Sequence, residues 1–88
     1  MISQKLLIRN EVGLHMRPAA MFAEEMMKYA CEVTILFQEK RINAKSILNI
    51  MTAGIQCGDE FVLECEGEDE EAAAAAAKSL IDRDFAEV

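Results

Sequence analysis

The sequence predicts an α+β domain: an antiparallel sheet with helices packed on one face and the other face left exposed. Two observations carry this. Apolar residues recur with a helical period in some stretches and alternate with a strand period in others. The two kinds of segment are interleaved in the mixed order β-α-β-β-α-β-α, joined by short connections, which favours an antiparallel sheet over a parallel one.

Lys5 to Ile8 is a short apolar run that reads as the first strand, and Asn10-Glu11-Val12-Gly13 after it reads as a loop. From Ala19, apolar residues return at Phe22, Ala23, Met26, Met27 and Ala30, one face of a helix with Glu24, Glu25 and Lys28 on the other. Glu32 to Phe37 sets Val33, Ile35 and Phe37 on one side and is rich in β-formers. A turn at Gln38 to Lys40 lets Arg41 to Asn43 return beside it as a hairpin.

Ser46 precedes Ile47, Leu48, Ile50 and Met51, and Gly54 closes the stretch, the pattern of a short helix with a serine N-cap and a terminal glycine. Phe61, Leu63 and Cys65 alternate with Val62, Glu64 and Glu66, a strand with one core face and one mostly wet face. The acids from Glu68 to Glu71 suit a helix N-terminus. Ala73, Ala76, Ala77, Leu80 and Ile81 then form the last apolar stripe, with Lys78 and Arg83 towards its end.

No linker, repeat or Pro/Gly-rich break divides the chain, so one domain is expected over residues 1–88. Hydrophobic residues make up 52% of it and charged residues 28%, enough apolar surface for a core and too much for a disordered tail. The net charge of −7 repels phosphate backbones and anionic bilayers, so neither nucleic acid nor a membrane is an expected partner. No apolar run approaches the roughly 20 residues of a membrane span, and the first residues lack a signal-peptide layout, which makes the cytoplasm the expected location.

Cys31, Cys57 and Cys65 contain no C-x-x-C pair, so they read as small core hydrophobes rather than a disulfide framework or a zinc site. The acids between Glu64 and Glu71 lack the alternating oxygen ligands and glycine turn of a calcium loop, and no nucleotide-binding glycine loop is present. Neither a metal nor a cofactor is expected.

Chemistry concentrates in two segments. In Gly13-Leu14-His15-Met16-Arg17-Pro18-Ala19-Ala20 the one histidine stands at a helix start, where the first amides lack intrahelical acceptors and Pro18 loses nothing. That end of a helix favours an anion. A ring nitrogen of His15 can accept a phosphoryl group, the Arg17 guanidinium can hold the phosphoryl oxygens, and Gly13 frees the loop to take a shape closed to other residues. A plain surface histidine beside a cap would give the same spacing.

In Ala44-Lys45-Ser46-Ile47-Leu48-Asn49-Ile50-Met51, Ser46 is either an ordinary N-cap or a cap that doubles as a modification site. Leu48 falls off the stripe of Ile47, Ile50 and Met51, so it is either a lone surface leucine or, with part of Met51, a small docking patch.

Together, Gly13-Leu14-His15-x-Arg17-Pro18-Ala19, the Lys45-Ser46-Ile47 segment, their separation and the element order resemble the HPr phosphocarrier family of the bacterial phosphotransferase system. The resemblance runs from end to end of the chain. It implies an open-faced β-sandwich, a four-stranded antiparallel sheet covered on one face by three helices. It further implies a cytoplasmic phosphoprotein of sugar transport that takes a phosphoryl group from phosphoenolpyruvate by way of enzyme I and passes it to enzyme IIA domains, with no turnover chemistry of its own.

The phosphohistidine would be His15, through Nδ1, with Arg17 steadying the phosphoryl group and Met16, Ile47, Leu48 and Met51 meeting partners. Ser46 matches the serine that an HPr kinase/phosphorylase modifies in many members, to slow sugar uptake and engage a transcriptional regulator. A monomer is expected. Met16, Val12 and Asn49 depart from residues common in the family, and Glu24 and Glu25 stand where some members carry lysines.

Other readings differ in function. A nitrogen-related relay would keep the fold and signal without a transported sugar. A purely regulatory module acting through phosphorylated Ser46 fits less well, because such relatives lack the histidine present here as His15. A small ligand-binding domain would need a pocket that the sequence does not reveal.

Overall fold

The computed structural model describes residues 1–11 and 13–85; Val12 and residues 86–88 lie outside the described residues. Its elements follow the expected order: β1 (Ile2–Leu7), α1 (Met16–Met26), β2 (Glu32–Phe37), β3 (Lys40–Asn43), α2 (Ile47–Ala53), β4 (Glu60–Glu66) and α3 (Glu70–Asp82). The four strands form one antiparallel sheet in the order β1-β4-β2-β3. The three helices complete the open-faced α+β architecture.

The registers explain which face is covered. Gln4 pairs with Leu63, Leu63 with Ile35 and Ile35 with Ile42, a row across all four strands that points into the core. One residue along, Lys5, Val62, Leu36 and Arg41 form a row on the open face. Because the side-chain period of a strand is two, a slip of one residue would exchange these rows, so burial fixes the register. Beneath the helices, Phe22 of α1 meets Phe61 of β4 edge to face, with ring centroids 6.4 Å apart.

β1 is longer than the apolar run Lys5 to Ile8 because its inner face includes a polar residue. Gln4 faces inward and its Nε2 donates to the Ala74 carbonyl of α3 at 2.8 Å, which satisfies a group that would otherwise be costly to bury. The hairpin is tighter than a turn over Gln38 to Lys40. Lys40 pairs with Phe37, leaving a two-residue loop in which Gln38 and Glu39 both have positive φ, as a type I′ turn requires.

α1 starts earlier and ends earlier than the apolar stripe from Ala19 to Ala30. It closes at Met26, and the Lys28 and Tyr29 amides turn back to the Glu25 and Met26 carbonyls. Met27 is therefore 52% exposed, and Ala30 lies beyond the helix. The next two amides, of Ala30 and Cys31, donate to the Asp69 carboxylate at 2.8 and 2.9 Å. Those hydrogen bonds, the Ala30 one first, hold the Asp69 carboxyl below the usual range. Glu70 is lowered as well, by the Gly67 amide and then by the N-terminal ammonium.

α2 has the caps its sequence announces: Ser46 Oγ accepts from the Asn49 amide at 3.2 Å, and Gly54 closes the helix in the left-handed region. α3 buries the expected Ala73, Ala77, Leu80 and Ile81 and also Ala74, while the expected Ala76 is only half-buried. It ends in a Schellman motif, with the Phe85 amide on the Leu80 carbonyl and the Asp84 amide on the Ile81 carbonyl, which folds Phe85 back into the core. Cys31 and Cys65 are core residues, and burial pushes the Cys65 thiol up to about 11. Cys57 is not: it lies exposed in the loop before β4, its thiol 3.6 Å from the Arg9 carbonyl.

Candidate functional site

His15 is the N-cap residue of α1, exposed and in an extended backbone conformation, and its side chain makes no capping hydrogen bond. The imidazole is therefore not consumed in closing the helix, unlike the Ser46 hydroxyl on α2. The His15 carbonyl accepts from the Ala19 amide at 2.8 Å, Pro18 has no N–H to satisfy, and the Met16 amide is left without an intrahelical acceptor. Beside the imidazole lies the positive end of an eleven-residue helix, a setting that favours a bound anion. Arg17, exposed in the same first turn, adds a guanidinium that is charged at any physiological pH.

The backbone that delivers His15 is pinned on several sides. Gly13 is buried at φ +65°, a conformation that L side chains rarely adopt. A Cβ there would lie 2.7 Å from both the Gln56 Cα and the Ile55 carbonyl oxygen. The Leu14 amide donates to that carbonyl at 2.9 Å while the Leu14 side chain is buried. The loop it leans on is itself closed by the Gln56 amide on Asp59 Oδ2 and the Asp59 amide on the Gln56 carbonyl.

These contacts bring His15 and Arg17 to the C-terminal end of α2, which packs against α1. Ser46 stands at the opposite end of that seven-residue helix, about 10 Å away at 1.5 Å per residue. Of the apolar candidates, Met16 and Leu48 are 68% and 66% exposed, whereas Ile47 and Met51 are half-buried against the core. Lys45 is directed elsewhere, its Nζ donating to the Tyr29 carbonyl at 2.7 Å.

A groove on the surface is lined by residues 30–34 together with Arg41, Ile42, Asn43 and Lys45, and His15 is not part of it. An exposed histidine at a helix start is open to the surface of a macromolecule. The sequence candidates His15, Arg17 and Gly13 fall together at the start of α1, and the loop at residues 55–57 that packs against Gly13 and Leu14 was not among the sequence expectations. Only Gly54, read as a helix stop, signalled that a tight turn lay there.

The family model described as "PTS HPr component phosphorylation site" matches residues 2–83. The chain is 40% identical over 75 residues to the phosphocarrier protein HPr of Mycoplasma capricolum, covering 85% of this chain and 84% of that one. Its fold superposes on the crystal structure of HPr-C-His from Thermoanaerobacter tengcongensis with a TM-score of 0.95 at 39% identity, covering 100% of this chain and 99% of the other. A crystal structure of an HPr dimer from the same organism matches with a TM-score of 0.76 at 38% identity, covering 99% and 100%.

Proposed function

Since this chain belongs to the HPr phosphocarrier family of the phosphotransferase system, we propose that it takes a phosphoryl group from enzyme I on His15 and passes it to enzyme IIA domains in sugar uptake. The observation that carries this is the exposed imidazole of His15, free of any capping role, at the N-terminus of α1 with Arg17 in the same turn.

In the reaction, His15 Nδ1 attacks phosphorus on the donor. A P–N bond forms as the donor's bond to phosphorus breaks, and the donor keeps that electron pair. The charge on the phosphoryl oxygens meets the Arg17 guanidinium and the helix end, each stronger with the partner's surface excluding water. The same contacts serve the reverse displacement when a nucleophile on enzyme IIA attacks, so the protein ends unchanged and acts as a carrier rather than an enzyme.

Met16 and Leu48, the two most exposed large apolar residues of the described helices, supply the docking surface, with Ile47 and Met51 behind them. The carrier is read as a monomer working in the cytoplasm, although one similar structure, from Thermoanaerobacter tengcongensis, is described as a dimer. Ser46 is read as a regulatory site for an HPr kinase/phosphorylase, with a transcriptional regulator as the further partner of the modified form. A nitrogen-related relay would use the same His15 chemistry with a different enzyme I.

Incubation with enzyme I and phosphoenolpyruvate, followed by intact mass, tests the assignment. One added phosphoryl group, labile in acid and stable in base, is expected on the wild type and none on His15→Ala. An unchanged yield from His15→Ala would overturn it.

A further inference from the structure

Between β1 and α1, Asn10 holds both backbone groups of Gly13. Its carbonyl accepts from the Gly13 amide at 3.0 Å, and its side-chain Nδ2 donates to the Gly13 carbonyl at 2.8 Å. Because the partner is a carbonyl, only the nitrogen of the amide can face it, which fixes the orientation of the side chain. Asn10 Oδ1 is then buried with no hydrogen-bond partner among the described residues. Two hydrogen bonds from one residue to both backbone groups of a glycine at positive φ fix that peptide more tightly than a single turn bond would.

What Asn10 positions is two residues from the reacting group. With Gly13 clamped on one side by Asn10 and on the other by the backbone of Ile55 and Gln56, the peptide leading into Leu14 and His15 has one available course. Leu48, on α2, lies outside this clamp.

We infer that Asn10 is a positioning residue for phosphoryl transfer, acting through the Gly13 carbonyl to hold the His15 backbone at the start of α1. The inference rests on the phosphocarrier reading. Angular error in the His15 backbone is amplified at the ring nitrogen, and a misplacement near 1 Å in a reacting group costs up to about a hundredfold in rate.

The test is steady-state phosphorylation by enzyme I and phosphoenolpyruvate with wild type, Asn10→Ala and Asn10→Leu as substrates, the leucine keeping the branched skeleton of asparagine without a donor. Both variants should lower kcat by about tenfold and leave KM within about twofold, because the docking surface is intact. A purely structural role would instead reduce the folded fraction, raising apparent KM while saturating variant restores kcat. That pattern, or an unchanged kcat in Asn10→Leu, overturns the proposal. Should the wild type take no phosphoryl group, the phosphocarrier reading itself fails, and the wild-type arm reports that separately.

Discussion

Replacing Gly13 by alanine tests whether the loop beneath His15 is held by shape. At φ +65° a residue with a Cβ loses about 1–2 kcal/mol relative to glycine. The stiffer unfolded chain returns about 0.4–1 kcal/mol of that. The added methyl also needs the space of the Gln56 Cα and the Ile55 carbonyl oxygen, each 2.7 Å away, and these are backbone atoms of a turn closed by Asp59. Relief comes by parting the two loops, which gives up the Leu14 to Ile55 hydrogen bond, about 1 kcal/mol.

The net loss is about 2 kcal/mol, which in a domain of this size lowers Tm by about 8–16 °C. Gly54→Ala is the control: it too has positive φ, +75°, but nothing lies within 4 Å of the added carbon. It should fall by about 4–8 °C, the effect of backbone strain less the unfolded-state gain. Thermal unfolding followed by circular dichroism measures both. If Gly13→Ala loses no more than Gly54→Ala, the close approach does not constrain the loop.

The other predictions concern separate parts of the molecule. Leu48→Glu should raise KM for phosphorylation by enzyme I at least about tenfold, the loss of one apolar docking side chain, and leave Tm within about 3 °C because the residue is exposed; equal KM would remove Leu48 from the interface. Ser46→Ala should cost about 1 kcal/mol by losing the cap on the Asn49 amide, whereas Ser46→Asp should keep the cap, hold Tm, and slow transfer to His15 at low salt. Equal transfer by Ser46→Asp at every ionic strength would leave Ser46 as a cap alone. Asp69 has a lowered folded pKa, so its stabilisation is complete above the unfolded value near 4 and disappears as pH falls through the folded value. Wild-type Tm should fall across that acidic window, and Asp69→Asn should start lower and fall less steeply; parallel Tm curves would show that the clamp on Ala30 and Cys31 does not titrate there.

Most of the fold was legible because most of it follows from local periodicity. β2 and its alternation, the Ser46 and Gly54 caps of α2 and the inner face of β4 each follow from a few adjacent residues. Errors arose where a distant group changed a local preference. Gln4 broke the alternation of β1 because its partner, the Ala74 carbonyl, is 70 residues away. The apolar stripe of α1 runs on to Ala30, yet the helix stops at Met26 while Asp69, from the far end of the chain, captures the Ala30 and Cys31 amides. Asp69 does stand at the N-cap of α3, where the acids from Glu68 to Glu71 suit a helix start, but its carboxylate accepts from the Ala30 and Cys31 amides rather than from its own helix.

The same division runs through the site. His15, Arg17 and Pro18 were legible because a helix start is a local object: its unpaired amides, its tolerance of proline and its attraction for anions all belong to one turn. The support beneath was not legible, since the Leu14 amide finds its acceptor 41 residues away at Ile55, and nothing in either segment names the other. Asn10 is an intermediate case. Its partner is only three residues on, but an asparagine before a glycine reads as an ordinary loop residue until its two hydrogen bonds to the Gly13 backbone are seen. On the proposed reading a carrier offers one histidine to successive partners with different surfaces, so the geometry of transfer is stored in the carrier's own backbone. The non-local contacts of Gly13 and Leu14 would store it there, which is why the candidate residues can be read from sequence while the precision of their placement cannot.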